Sequence, residues 1–312
     1  MARSTRMPMT LIAVFVIGIA AAVHGRAKPL PEPAADETAA DEPRWEPTVV
    51  EGGAAPPRRQ RSKRWRQAGL VLIVLGTLIL GYSAAVLFWR DPITDLYARW
   101  KQHNLAAELD KDFAAYAATI QFPEPVAAEP AAAPTAQDIV AAQREGVERA
   151  ANRLARHLKQ GKPLGRIRVP RLGLSSVFVH GTRWGPDLSQ GPGHYRQTSL
   201  PGVGRTVGIA GHRTTFGAPF RHIDRLEKGD QIALRLPYAT FRYTVFGHKI
   251  VDNGDWRIIK DRGFDLLVLS ACHPLYSAAQ RWVVFAALYR VDPVKGRSYL
   301  VNRKNEVRPL GT

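Results

Sequence analysis

Two uninterrupted apolar runs stand in the first part of the chain. The first, from about Met9 to Val23, follows two arginines and has the length of a signal-peptide core rather than of a membrane span. A cleaved signal peptide, a first membrane helix and a segment with neither role are all compatible with it. The second run, from Ala68 to Trp89, holds no charged residue and is long enough to cross a bilayer. Residues 68–89 are therefore predicted to form a transmembrane helix.

The charges around the second run predict its orientation. Six of the nine residues from Arg58 to Arg66 are basic, whereas the charges that follow Trp89 nearly cancel. Because basic flanks stay in the cytoplasm, the chain beyond residue 89 is expected outside the cell membrane. Residues 1–67 would then hold the N-terminal apolar segment and a disordered, basic-ended cytoplasmic region, since much of this stretch is rich in Pro, Ala and acidic residues.

Residues 90–162 combine helical patterns with an extended segment. Apolar positions recur at helical spacing from Ile93 to about Gln121, and a polar helix is predicted from Gln137 to about Gln160. Between them, Phe122–Ala136 contains too much proline for a helix or a sheet. This order predicts a helical stalk and linker outside the membrane, and a spacer is favoured over a binding role.

After Pro163 the pattern changes to short β-rich runs separated by Gly and Pro. Several runs alternate apolar and polar residues, as Phe241, Arg242 and Tyr243 do, which is typical of strands with one buried face. Many short strands at regular spacing predict a mainly β domain, a barrel or a sandwich, over residues 163–291. Residues 292–312 are basic and weakly patterned, and a surface tail is expected there. The predicted strands lie in GRIRVP, SSVFVHG, RTVGIAG, QIALRL, ATFRYTVFGHKIV, FDLLVLSAC and RWVVFAALYRV.

Composition narrows the possible partners and chemistry. The chain has 312 residues, a formal charge of +17 and one cysteine, which excludes an intramolecular disulfide and a zinc site built from several cysteines. Residues 166–290 contain 18 basic and 8 acidic side chains, so an anionic partner is expected. An anionic wall polymer fits an exported domain. Nucleic acid is disfavoured because basic and aromatic residues are not interleaved.

The single cysteine stands where a strand is predicted to end. Cys272 closes the apolar run LLVLSAC and is followed by His273-Pro274, which stops the strand. A buried structural cysteine is the alternative. Two further residues favour chemistry: His212 follows the strand in GIAGH, and Arg281 begins the next strand after the cysteine. A histidine can activate a thiol and protonate a leaving amine, and a guanidinium can stabilise an oxyanion.

These segments together resemble the sortases, the cysteine transpeptidases of Gram-positive cell surfaces. AGHRTTFGAPF contains His212, LSACHP contains Cys272, and Arg281 follows nine residues later; GPGHYRQTSLPG also resembles the segment before the family's histidine. The resemblance covers about residues 163–291 and is most like the class E sortases of actinobacteria. It implies a closed eight-stranded β-barrel in which Cys272 is the nucleophile, His212 the catalytic histidine and Arg281 the catalytic arginine.

The resemblance also implies a function. A membrane-anchored extracellular enzyme would cleave a secreted protein's C-terminal LAxTG- or LPxTG-like sorting signal between threonine and glycine. It would then join that protein to the amine of a peptidoglycan precursor, without a metal or organic cofactor. A pilin-polymerising enzyme, with a subunit lysine as acceptor, and a non-catalytic binding module are the alternatives.

The chain departs from the family pattern at three positions. The motif before the cysteine usually has two threonines, and Val268 and Ala271 stand in their places; Arg205 stands where asparagine is common. The missing threonines weaken any expectation about fine substrate contacts.

Other polar residues are expected to be structural. His194 is predicted to be structural, and the side chain of His273 should point away from that of Cys272 because side chains alternate along a strand. Three more histidines lack acidic neighbours at metal-ligand spacing, and two aspartates resemble turn and cap residues. These five are His180, His222, His248, Asp224 and Asp230.

Overall fold

The computed structural model describes residues 63–88, 92–124 and 133–310. The first apolar run and the stretch predicted to be disordered before residue 63 lie outside the described residues. The centre of the Pro/Ala segment, residues 125–132, lies outside them as well.

Among the described residues, three helices precede the sheet: α1 (Lys63–Phe88), α2 (Pro92–Thr119) and α3 (Ala136–Ala155). Within α1, the stretch Trp65–Ala85 is long and apolar enough to cross a membrane, and none of it is buried inside the protein. The predicted apolar helix is therefore present. Thr135 caps α3, since its side chain accepts a hydrogen bond from the Asp138 backbone while the Asp138 carboxylate accepts one from the Thr135 backbone.

Ten strands follow, and eight of them close into a barrel. Each strand of the ring pairs with its neighbours in the order β1-β2-β3-β4-β7-β8-β6-β5, and β5 pairs with β1. The β2–β3 and β4–β7 pairs are parallel and the others antiparallel. The eight are β1 (Pro163–Val169), β2 (Leu174–His180), β3 (Gly193–His194), β4 (Val207–Gly211), β5 (Gln231–Arg235), β6 (Ala239–Asp252), β7 (Leu266–His273) and β8 (Gln280–Pro293). The predicted closed eight-stranded β-barrel is confirmed.

The barrel interior is filled by the apolar residues of the alternating strands. On β6, Phe241, Tyr243 and Val245 are buried, while Arg242 between them is exposed. Burial of such side chains, each worth about 1.5–3 kcal/mol, is the main favourable term in forming the barrel. The strand missed by sequence reasoning within the barrel is β3, because two residues are too few to show a period.

The helices predicted as a spacer pack against the barrel. Leu105 and Leu109 of α2 form a buried cluster with Val177 and Val179 of β2. On α3, buried residues such as Val147 belong to the main core. An amphipathic face of this kind is buried against a neighbouring element rather than left in solvent. The described part of residues 90–162 is thus joined to the barrel by shared hydrophobic packing.

The C-terminal residues are also more ordered than the sequence pattern suggests. A short hairpin, β9 (Tyr299–Val301) and β10 (Val307–Pro309), continues the sheet from β8. Tyr299 is fully buried in the main core, and Gln137 of α3 donates a hydrogen bond to the Val307 carbonyl. The expectation of a surface tail missed this hairpin because strands of three residues carry too little alternation to be recognised.

Two stacked histidines join β2 to β3. The Nδ1 atoms of His180 and His194 are 3.2 Å apart, and Nε2 of His194 lies 3.0 Å from the Ser199 carbonyl. Burial lowers the pKa of His194 to about 4. His194 is 1% exposed, so a charge on its ring would be poorly solvated and the folded protein holds the ring neutral.

This histidine predicts a pH-dependent loss of stability. In the unfolded chain its pKa is about 6.5, so its contribution is complete above pH 6.5 and is lost as pH falls towards 4. The shift corresponds to about 3 kcal/mol of unfolding free energy. We expect the difference in unfolding free energy between wild type and His194→Gln to become smaller as pH falls over this range. Denaturant titrations of the detergent-solubilised chain measure it. A difference in unfolding free energy that stays constant over this range would refute the assignment.

Candidate active site

Three neighbouring strands end at the same edge of the barrel. Gly211, the last residue of β4, lies beside Ala271 of β7 in a parallel pair, so His212 follows beside Cys272. On the other side of β7, Cys272 is directly opposite Arg281 of β8 in an antiparallel pair. Residues opposite one another in a sheet project from the same face. The structure therefore brings the three sequence-predicted site residues, Cys272, His212 and Arg281, to one place.

The arginine contacts the sulfur. Nη1 of Arg281 lies 3.2 Å from Sγ of Cys272 and also donates to the backbone carbonyls of Ala278 and Gln280. These carbonyls hold the guanidinium in position while it faces the thiol. Cys272 itself is partly exposed.

His212 is buried beside this pair, with 7% of its surface exposed. Its ring hydrogen-bonds to the Trp184 backbone, and Nε2 has no hydrogen-bond partner among the described residues. Burial lowers the pKa of His212 below its ordinary value, and the positive charge of Arg281 lowers it further, against the opposing effect of the Trp184 bond. The ring is therefore neutral near pH 7, and Nε2 can accept a proton.

A pocket of about 220 Å³ opens at these residues. Two tryptophans with exposed side chains, Trp184 at 73% and Trp256 at 60%, stand on its wall. The Tyr195 hydroxyl is hydrogen-bonded to the Ser270 hydroxyl at 2.8 Å inside the same pocket. Sequence reasoning missed these lining residues. Tyr195 could have been found from its place in GPGHYRQTSLPG, the segment that resembles the one before the family's histidine, but Trp184 lies in a loop without periodicity.

Comparison with known proteins identifies the family. The sortase domain family matches residues 167–289. Sortase D of Bacillus subtilis (strain 168) is 31% identical over 146 residues, which cover 46% of this chain and 72% of that protein. This chain belongs to the sortase family. Sortases are generally cysteine transpeptidases, and the resemblance drawn from the sequence is confirmed.

Sortases of the E type are among the further relatives. Sortase SrtE1 of Streptomyces coelicolor is 26% identical over 148 residues, covering 43% of this chain but only 42% of that protein. Among solved structures, the SrtF sortase from Corynebacterium diphtheriae is 26% identical, covers 45% of this chain and 90% of that chain, and has a TM-score of 0.42.

The two replaced threonines of the sortase motif have different surroundings. Val268 is fully buried in a hydrophobic cluster with Ile258 and Val283, so its side chain fills space in the core. Ala271 lines the pocket beside Cys272. The replacement at 271 thus changes the surface of the pocket, whereas the replacement at 268 changes the hydrophobic packing beneath it. Arg205 is exposed and lies near Asp261, away from the residues that line the pocket.

A second arginine, which is buried, contacts the ends of these strands. Arg213 is 3% exposed and forms an ion pair with Asp224 at 3.0 Å. Its Nη1 lies 3.4 Å from the Cys272 carbonyl and 3.4 Å from Nδ1 of His273. Arg213 directly follows His212 in the chain, so its side chain links the segment after β4 to the backbone of Cys272 at the end of β7. Sequence reasoning treated Asp224 as a turn or cap residue, and its partnership with Arg213 shows a larger structural role.

The remaining polar candidates lie outside the pocket lining. The His273 ring contacts the ring of Trp282, and His248 stacks on the same indole. Asp230 accepts a hydrogen bond from the Glu227 backbone, as expected for a turn. Within the described residues, no group of three or more His, Cys, Asp or Glu side chains could hold a metal ion.

The contacts of the buried Arg213 side chain yield a stability prediction. Arg213→Met would leave the Cys272 carbonyl and the Asp224 carboxylate without their partner, at a cost of about 2 kcal/mol in unfolding free energy. Arg205→Met is the matched control, because its side chain is 64% exposed and its contact with Asp261 is longer, at 3.5 Å. Its effect should stay below about 1 kcal/mol. Denaturant titrations measure the unfolding free energy of both variants. Equal losses of unfolding free energy would show that Arg213 contributes no more to stability than a surface arginine.

Proposed function

We propose that this sortase is a membrane-anchored, extracellular cysteine transpeptidase in which Cys272, His212 and Arg281 act together. Residues 68–89 would be the membrane anchor, residues 90–162 the helical region outside it, and residues 163–291 the catalytic domain. The observation that carries the proposal is the pairing of Cys272 with Arg281, whose Nη1 lies 3.2 Å from the sulfur, beside a neutral histidine with an unpartnered Nε2.

In the first half-reaction, His212 Nε2 takes the proton of the Cys272 thiol as the sulfur attacks the carbonyl carbon between threonine and glycine. The carbonyl oxygen becomes an oxyanion, which the Arg281 guanidinium stabilises. The C–N bond then breaks, and His212 returns its proton to the departing glycine amine. The substrate threonine is left as a thioester on Cys272.

The second half-reaction transfers the threonine. An amino group attacks the thioester carbonyl, its proton passes to His212, and the same guanidinium stabilises the second oxyanion. The C–S bond breaks, a new amide forms, and the proton on His212 restores the thiol. All the groups required for both halves belong to this chain and to its two substrates.

The lowered pKa of His212 suits these steps. Because burial and the charge of Arg281 favour the neutral ring, the base is available near pH 7, and the protonated ring formed during attack is a strong acid towards the leaving amine. The same guanidinium that attracts the oxyanion thus disfavours a permanently charged histidine.

Membrane attachment and orientation rest on the sequence around α1. The helix is long and apolar enough to cross a bilayer. The six basic residues just before and within its first turn favour a cytoplasmic start, which would leave the barrel outside. There the substrates would be secreted proteins with a C-terminal LAxTG- or LPxTG-like sorting signal, and the acceptor would be the amine of a peptidoglycan precursor. The excess of basic over acidic residues in 166–290 suits an anionic wall.

The nucleophile is tested by substitution. Cys272→Ala should abolish thioester formation and transfer, because no other thiol exists in the chain to replace it. The detergent-solubilised full chain would be mixed with a fluorogenic LAxTG-type peptide and an amine, and thioester and amide products followed by mass spectrometry. Cys272→Ser should be almost as inactive, because a hydroxyl ionises far less readily than a thiol.

Two outcomes separate the parts of this proposal. Transfer by a folded Cys272→Ala variant would exclude covalent catalysis, and absence of both thioester and product in wild type would favour a binding module. Intact cells supplied with a membrane-impermeant peptide should react only if the barrel lies outside. Cleavage after lysis alone would place the barrel in the cytoplasm.

Arg281 should affect turnover more than binding. Arg281→Ala removes a charge that acts mainly when the oxyanion forms, so kcat should fall by about 10²–10³-fold with a smaller change in KM. Arg281→Lys should recover only part of the rate, because an ammonium cannot reproduce the planar fork of donors. Steady-state kinetics with the peptide substrate measure both.

Arg262→Ala is the control for Arg281, since Arg262 is exposed and does not line the pocket. It should leave kcat and KM unchanged. A folded Arg281→Ala variant with near wild-type kcat would remove Arg281 from the chemistry, and melting curves would confirm that each variant is folded.

A further inference from the structure

The first turns of α2 carry an exposed apolar stripe. Ile93 is 67% exposed, Leu96 70%, Tyr97 40% and Trp100 56%. The spacing of three and four residues places these side chains on one face of the helix. Four large apolar side chains side by side in the solvent are unusual for a soluble surface and indicate a contact with an apolar medium.

The stripe ends within the first third of the helix. Further along the same face, the exposed residues are His103, Asn104, Ala107 and Lys111, none of them a large apolar residue. On the opposite face, Ala98, Leu105 and Leu109 are buried, and Leu105 packs on β2. The exposed apolar surface therefore belongs to the end of α2 that is nearest to α1, and it is not a general property of this helix.

The chain itself keeps this end close to α1. Three residues separate Phe88, the end of α1, from Pro92, the start of α2. Even a fully extended connection of this length reaches only about 14 Å. If α1 crosses a bilayer, the stripe must lie near the bilayer surface, where tryptophan and tyrosine are favoured.

The polar groups around the stripe also suit an interface. The ammonium of Lys101 lies 5.3 Å from the ring centre of Trp100 and 5.7 Å from that of Tyr97. A lysine in this position can place its charge among lipid headgroups while its stem covers apolar surface. Arg99 is exposed and paired with Asp95.

The same turns of α2 also contact the loop after His212. The Phe216 backbone donates a hydrogen bond to the Thr94 hydroxyl at 3.0 Å, and the Tyr97 and Phe216 rings are 6.2 Å apart. The Phe216 ring in turn lies 5.4 Å from the ring of His212. At Gly217, where φ is +75°, an added Cβ would come within 3.2 Å of the Ala98 Cβ. This close approach joins α2 tightly to the loop.

We propose that the stripe of Ile93, Leu96, Tyr97 and Trp100 lies in the interface of the bilayer that holds α1, and that α2 thereby holds the His212 loop at the membrane surface. The inference rests on the proposed membrane anchor, but not on the proposed chemistry. A substrate still attached to the membrane, or a lipid-linked amine, would then meet the site without the barrel having to approach it.

The test measures the depth of a fluorophore in the full chain. Because the chain has a single cysteine, the Cys272→Ala variant offers no thiol of its own to a thiol-reactive dye. In this background, an environment-sensitive dye is attached to one introduced cysteine at a time: Leu96→Cys, Ala107→Cys, Thr215→Cys or Gly76→Cys. Each variant is placed in phosphatidylcholine vesicles that contain lipids with a nitroxide on the headgroup, high on the acyl chain or deep on it. Ala107 is the matched control, since it lies on the same face three turns further along.

We expect the Leu96 probe to be quenched most by the nitroxide high on the acyl chain, and the Ala107 probe to be quenched by none. The Thr215 probe should respond to the headgroup nitroxide alone, and the Gly76 probe to the deep one. No lipid quenching of the Leu96 probe would overturn the inference. If aqueous iodide also failed to quench this probe, a second copy of the chain would cover the stripe instead. No quenching at Gly76 would remove the anchor and the inference with it. None of these results depends on transpeptidase activity.

Discussion

The register between β7 and β8 is the constraint on which the site depends. It closes the barrel, and the same hydrogen-bonded ladder sets Cys272 opposite Arg281. A shift of one residue would turn one of the two side chains to the other face and separate them. Because this ladder continues from the pair Leu266–Ala287 to the pair His273–Gln280, the geometry of two reactive groups is fixed by many backbone contacts at once.

The barrel also supplies the electrostatic conditions at the site. His212 is neutral because it is buried and because a guanidinium lies nearby, and both causes follow from its position at the end of β4. Within the part of the chain that the structure describes, backbone carbonyls rather than a carboxylate hold Arg281. A guanidinium without a carboxylate partner retains its full charge for an anion that forms beside it.

The sequence predicted the barrel well because its strands are long and alternate clearly, as in β6 and β8. It also predicted which three residues would meet, since a thiol, an imidazole and a guanidinium at strand ends form a specific pattern. It failed for β3, β9 and β10, which are too short to show a period. It also missed Arg213, because a buried arginine behind a site is recognised only through its contacts in space.

The helices and the C-terminal hairpin could not be assigned to the barrel from periodicity alone, and their packing has a consequence for where the folding unit ends. The homologous segment, residues 167–289, lacks α3, β9 and β10. Yet Val147 and Tyr299 lie in the same hydrophobic cluster as Phe241 of the barrel. A fragment cut at the homology boundaries would expose that interior to water. The part of the chain that is shared across the family is therefore smaller than the part that must fold together here. The segments before and after the homologous region are distant in sequence but cover the same hydrophobic core.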